Sequence, residues 1–289
     1  MDEGDSWADP SNYVKANPSL GEIVKEKFLL ERLQESKLSM TTQVDFKIKN
    51  LDIFVTAKNI WLEPSIISNV GGKVDYDRLL GEPCYMGCDL SSVNDLTSIA
   101  AVWAPNPYRE YEPDRYIVKV FCWVPQCALE GPNGNMYSGW IHSGYLKMTS
   151  GNSVDYEEIL RDVLEFSQKF PIMKFHYDAW NSSQFIQQAV AQGVMCVPMS
   201  QSLGSFNRST KSFEVLAKSG RVVIDLNPLI SWAFQNCELK VDSYGNCKPV
   251  KANGQVSRKI DPVIAILSGL AAHLFEQLYG DVEMITLEQ

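Results

Sequence analysis

Residues 85–104, YMGCDLSSVNDLTSIAAVWA, constrain the fold more than any other stretch of the chain. A short apolar run ends abruptly at Asp89. A polar turn with Ser91, Ser92, Asn94 and Asp95 follows, and a second apolar run, 96–103, leaves it. Two β-prone runs joined by turn residues predict a hairpin. Asp89 then stands at a strand tip beside an open turn. There a carboxylate can coordinate a metal without the full desolvation cost of burial. It can equally cap the turn through neighbouring backbone, as Asp commonly does.

With 289 residues, 45% of them hydrophobic, the chain can build one large domain or two smaller ones. The net charge of -9 excludes a generally basic nucleic-acid-binding coat. It leaves nucleic-acid binding open, because divalent metal neutralises an acidic site locally. The seven cysteines include no CxxC pair and no finger-type histidine spacing, so they read as reduced thiols of a cytosolic protein rather than zinc ligands. The acidic, polar N-terminus does not read as a signal peptide. No apolar run approaches the roughly 20 residues needed to span a bilayer.

Residues 1–20 read as an irregular segment, 19–36 as a helix, and 75–80 as a short helical piece before Gly81 and Pro83. This sets an expected boundary: 1–80 as a linker and helical segment, 81–289 as the main domain. Beyond the hairpin, 115–124 is a strand, and 131–152, with five glycines, is expected as a loop insertion. Residues 155–170 carry an apolar helical stripe closed by Pro171. Residues 173–177 form a strand ending in Asp178. A helix follows, capped by Asn181 or Ser182 and closed by Gly193. Residues 194–197 are a strand, 205–219 a helix stopped by Gly220, and 239–250 a hairpin about a Tyr-Gly-Asn turn. A last helix runs over 261–278 with Pro262 in its first turn. The pattern is α/β.

Three acids stand at equivalent places: Asp89 and Asp178 at strand ends, Asp261 opening the last helix. Ligand sites of α/β sheets lie outside strand ends, so the three can converge. Converging carboxylates repel unless cations neutralise them, and all-oxygen donors suit Mg²⁺ or Mn²⁺. Two such ions serve phosphodiester hydrolysis. Taken singly, Asp178 also reads as a helix N-cap, and Asp261 as an acid favoured by the helix dipole and, before Pro262, as the N-cap of the last helix. Asp95 reads as capping its turn, Asp225 as a turn acid, and His176 as a core or surface histidine rather than a partner of the site.

The segments GCDLSSVNDLTSIAAVW, HYDAWNSSQFIQQAVAQG and KIDPVIAILSGLAAHLF, in that order, resemble the C-terminal nuclease domain of the large terminase subunit of tailed bacteriophages. WADPSNYVKANPSLG resembles the segment that follows the ATPase core in that family. The resemblance implies a ribonuclease H-like mixed sheet flanked by helices, here with an added β-hairpin and a helical N-terminal segment. It implies a two-metal site at Asp89, Asp178 and Asp261, using Mg²⁺ or Mn²⁺, and an endodeoxyribonuclease that cuts concatemeric viral DNA during packaging. Its partners would be double-stranded DNA, portal protein and the small terminase subunit. The family's motor is a ring in the host cytoplasm, whereas an isolated domain can be monomeric. No GxxxxGK[ST] phosphate loop occurs, so the expectation is a nuclease domain separated from its ATPase.

Candidate DNA contacts are Arg208, Lys211, Lys248, Lys251, Arg258 and Lys259, several of them near Asp261 in sequence. The competing reading of these cations is a solvated basic face. Competing functions are a transposase- or resolvase-type nuclease, a non-catalytic DNA- or portal-binding domain, and an actin-like or sugar-kinase ATPase. The last is disfavoured because SSVND and AWNSS are not glycine-rich phosphate turns.

Overall fold

The computed structural model describes residues 5–37, 46–47, 49–53, 60–91, 95–178, 183–252 and 257–279. The expected turn residues Ser92 and Asn94 and the expected caps Asn181 and Ser182 lie outside them. The chain divides into two compact units, Met1–Asn59 and Ile60–Gln289. The expected boundary near residue 81 falls inside the second unit: residues 60–80 supply Trp61, Ile67, Val70, Val74 and Leu79 to its cores.

The first unit holds α1 (Tyr13–Ala16) and α2 (Glu26–Ser36) around Tyr13, Leu29, Leu33, Phe46 and Leu51. The helix expected from residue 19 begins seven residues later. Gly21, at φ +96°, and a bridge between Leu20 and Val24 hold the preceding residues in a turn.

The second unit is built on a mixed sheet. Its strands are β1 (Cys84–Asp89), β2 (Thr97–Trp103), β3 (Tyr116–Pro125), β4 (Lys147–Thr149), β5 (Ile172–Tyr177), β6 (Cys196–Pro198) and β7 (Val222–Ile224). The order is β4-β3-β2-β1-β5-β6, with β7 sharing the outer edge of β3. β1, β2 and β3 form an antiparallel meander, while β5 and β6 join β1 in parallel. A separate hairpin pairs β8 (Cys237–Val241) with β9 (Cys247–Lys251). This is the ribonuclease H-like arrangement, with the added hairpin where the sequence placed it.

Helices cover both faces. α3 (Pro64–Val70), α7 (Leu203–Lys218), α8 (Pro228–Gln235) and α9 (Asp261–Tyr279) share one core with Ala100, Val102, Val118 and Val124. α5 (Tyr156–Ser167) and α6 (Ser183–Ala191) share the other with Met86, Cys88, Ile99 and Phe175. Pro64 and Pro228 sit in the first turns of α3 and α8, where a missing N–H costs nothing. The Asn227 side chain caps α8 at the N–H of Ile230, 3.1 Å away.

The expected loop at 131–152 is instead α4 (Gly134–His142) followed by β4. Gly134 and Gly139 weaken its intrinsic propensity, but Tyr137 and Trp140 are buried and Trp140 packs on Trp232 of α8 at 5.3 Å. Tertiary burial decides the conformation here. Among the described residues no helix is long and apolar enough to cross a membrane.

Candidate active site

The site's geometry starts from two glycines. A Cβ on Gly87 of β1 would stand 2.1 Å from the backbone N of Gly269 in α9, and one on Gly269 would stand 2.9 Å from Val102. The central strand and the last helix therefore meet backbone to backbone, as only glycine permits. Side chains two residues along a strand share a face. Asp89 therefore emerges on the α9 side of the sheet, just past this contact.

β5 lies beside β1 with Gly87 in register with His176. Two residues further on, Asp89 and Asp178 leave the sheet side by side at the carboxyl ends of parallel strands. This is the position at which open α/β sheets bind ligands. Both carboxylates are partly buried.

Asp261 comes from the opposite wall. It was expected as the N-cap of the last helix, but the helix starts one residue earlier in role. The Ile260 carbonyl accepts from the N–H groups of Val263 and Ile264 at 2.9 and 3.1 Å, so Ile260 occupies the cap position. Asp261 is the first helical residue, 7% exposed, and its Oδ2 is buried without a hydrogen-bond partner among the described residues. That oxygen is not used in capping. A buried carboxylate oxygen left unpaired is costly unless a cation or proton meets it.

The electrostatics bind these acids into one group. Burial first, then the charge of Asp261, pushes the Asp89 carboxyl well above the usual range; Asp178 and Asp95 push the same way and Lys251 opposes them. Asp261 is raised from 3.8 to about 6, by burial first and then by Asp95, against the pull of Lys251, its own backbone N–H and Lys259. Among the described residues, no three His, Cys, Asp or Glu side chains stand close enough to hold one ion as they are. The acids are within electrostatic reach of one another without forming a closed coordination shell. The donor set is all oxygen, and with Asp261 Oδ2 unpaired it fits a hard divalent cation.

Asp95 does more than cap its turn. Its Oδ1 accepts from the Leu96 N–H at 2.7 Å, and its Oδ2 meets the Lys259 ammonium at 2.6 Å. His176 is buried on the α9 face, beside the Ser268 backbone. Burial, with Lys174 adding to it, lowers its pKa to about 4. Asp225 lies apart from the acids, accepting from the Tyr76 hydroxyl at 2.7 Å.

The candidate DNA contacts separate into different environments. Lys251 and Lys248 face the acids: Lys251 opposes the raised values of Asp89 and Asp261, and Asp89 and Asp178 pull up Lys248, which burial lowers. Lys248 donates to the Gln201 carbonyl at 2.6 Å, and Lys211 to the Gly245 carbonyl at 2.9 Å, fastening the hairpin to α7 and its approach. Arg208 is exposed on α7 and Arg258 half-buried. Lys259 is buried against Asp95.

Sequence reasoning missed Tyr137. Its ring belongs to the stretch expected as a loop, yet burial first, and the charges of Asp95 and Asp261 among the further causes, raise its hydroxyl. Asn133 binds both the Tyr137 hydroxyl and the Ser257 carbonyl, at 3.3 and 2.8 Å, so this helix abuts the approach to Asp261. Only a helical reading of 134–142, with Tyr137 and Trp140 three apart on one face, signals it.

Comparison with known proteins places this arrangement. The family model "Terminase large subunit, endonuclease domain" matches residues 1–276. The chain is 28% identical to protein YmfN of Escherichia coli K12, over 96% of this chain and 62% of that protein. It is 26% identical to the terminase large subunit of Enterobacteria phage HK97, over 90% of this chain and 51% of that one. The chain thus spans about half to three-fifths of these curated relatives. The crystal structure of the HK97 large terminase superposes with a TM-score of 0.65 at 24% identity, covering 94% of this chain and 55% of that one. The family match spans nearly the whole chain, and the chain belongs to the terminase large subunit endonuclease-domain family.

Proposed function

We propose that this chain is a divalent-metal-dependent endodeoxyribonuclease that cuts concatemeric viral DNA during genome packaging, with Asp89, Asp178 and Asp261 as the metal-holding acids. The observation that carries the reading is the buried Oδ2 of Asp261, unpaired among the described residues, in a carboxylate whose charge reaches Asp89. Cations at such a site activate water and stabilise the leaving oxygen in phosphodiester hydrolysis, and two Mg²⁺ or Mn²⁺ ions are the expected complement.

The chain's own residues have distinct tasks. Asp89 and Asp178, adjacent on parallel strands, set one wall of the site. Asp261, fixed by the glycine contact between α9 and β1, sets the other. Lys248 and Lys251, on the hairpin, bring positive charge to the rim, where a phosphate backbone would approach a site otherwise acidic. Arg208 and Lys211 extend that charge along α7. Double-stranded DNA is the substrate, and the portal protein and small terminase subunit are the proposed partners of the longer polypeptide, assembled as a ring in the host cytoplasm.

Supercoiled plasmid incubated with the protein in Mn²⁺ should be nicked and linearised, and EDTA should abolish both. Cleavage that persists in excess EDTA contradicts metal dependence. An intact plasmid under all divalent ions favours a non-catalytic DNA- or portal-binding domain, a reading consistent with the absence of a closed ligand set among the described residues.

A further inference from the structure

We propose that Lys259 is a built-in counter-cation of the acidic site, a positioning residue that ties the turn after β1 to the start of α9. The proposal rests on the reading that the acids hold divalent cations. It concerns how the site is kept assembled before any cation arrives.

Lys259 is held at both ends. Its ammonium lies 2.6 Å from Asp95 Oδ2, between residues 164 positions apart in sequence. Its side chain is only 10% exposed, and lysine is rarely buried to that degree without a charged partner. Its carbonyl accepts from the Asn236 side chain at 3.1 Å, and Asn236 is itself buried. The Asn236 carbonyl in turn accepts from the Ala252 N–H at 2.8 Å, directly after β9. One residue thus joins the β1–β2 turn, the end of the lysine-bearing hairpin and the segment entering α9. Only Ile260 separates it from Asp261.

The charge balance gives this link its purpose. Asp261, Asp178 and Asp95 lie within electrostatic reach of Asp89, and Asp95 within reach of Asp261, from separate elements of the fold. Lys248 and Lys251 oppose that charge from the half-buried hairpin, whereas Lys259 does so from the interior and in direct contact with a carboxylate. A buried ammonium there limits repulsion across the site and holds Asp95 opposite Asp261. Added divalent cations would take over much of that neutralisation. Lys259 should therefore matter more to the fold without metal than with it, which a purely structural ion pair would not show.

The test is thermal melting of the full chain carrying Lys259→Met, Lys259→Arg, Asp95→Asn, and Lys259→Met with Asp95→Asn, each in EDTA and in Mg²⁺. In EDTA, Lys259→Met should lower Tm by roughly 4–8 °C. Lys259→Arg should recover part of the loss, and adding Asp95→Asn to Lys259→Met should recover most of it, because no carboxylate is then stranded. Mg²⁺ should raise the Tm of Lys259→Met by more than it raises that of the wild type. Additive losses in EDTA, or equal Mg²⁺ shifts in both proteins, would overturn the proposal. If Lys259→Met does not fold, the arginine variant and the double variant carry the same comparison. A wild type indifferent to Mg²⁺ would count against the cation reading itself, and the EDTA cycle would then decide the ion pair separately.

Discussion

Asp261→Asn separates a metal-holding acid from a helix-terminal one, and the structure sets the size of the effect. The Asp261 carboxyl titrates near 6 in the folded protein against an ordinary 3.8. Between those values the folded state binds more protons than the unfolded state, so stability falls as pH rises from about 4 to 6 and stays lower above it. The gap is worth roughly 3 kcal/mol for this nearly fully buried group. Asparagine cannot ionise. In EDTA at pH 7.5 the variant should therefore be more stable than the wild type by up to about 3 kcal/mol, or roughly 6–12 °C in Tm. At pH 4.5 the advantage should shrink, leaving a flatter dependence of Tm on pH. Asp89, raised in the same direction, keeps part of the slope in both proteins. The assay is Tm against pH in EDTA, then in Mn²⁺ beside plasmid cleavage. Mn²⁺ should stabilise the wild type more than the variant, and cleavage by the variant should fall by orders of magnitude. A variant that is less stable than wild type at pH 7.5, or that cleaves at the wild-type rate, refutes the reasoning.

Three further outcomes follow from the same geometry. Gly269→Ala should cost the second unit much of its stability, since the new Cβ meets Val102 and the Gly87 backbone, whereas Gly139→Ala, with open space around it in α4, should leave Tm equal or slightly raised; thermal melting of the pair checks this. Arg208→Glu with Lys211→Glu should weaken binding to a DNA duplex in EDTA and reduce the slope of log affinity against log salt; an unchanged slope returns both residues to a solvated face. Tyr137→Phe should preserve the fold, since its ring supplies the burial and, among the described residues, its hydroxyl meets only Asn133. A Tm loss of more than about 5 °C would show that the hydroxyl supports the approach to Asp261 more strongly than one hydrogen bond explains.

The strand tips were legible because their chemistry is local. Asp89 and Asp178 each end an apolar run in an acid followed by polar residues, and period-two alternation fixes the face. The last helix was legible from its apolar content and from Pro262. What the sequence concealed depends on tertiary contact. Gly87 and Gly269 look like ordinary glycines until their backbones meet. The helix 134–142 carries two glycines and a weak propensity, and only the packing of Tyr137 and Trp140 makes it form. Asp95 reads as a turn cap and Lys259 as a candidate DNA contact until the fold closes 164 positions between them. Asp261 reads as an N-cap because Asp before Pro usually is one; the structure gives that position to Ile260 and leaves a carboxylate oxygen unpaired.

The central claim is that Asp89, Asp178 and Asp261 jointly hold the cations of a nuclease. Anomalous diffraction at the manganese edge, from crystals of the wild type soaked in Mn²⁺, addresses it most directly. The account predicts one or two peaks bounded by these three carboxylates, about 3.5–4 Å apart if two are present, and their loss in Asp261→Asn crystals. No anomalous density between the three acids at saturating Mn²⁺, or density only at other residues, would contradict it.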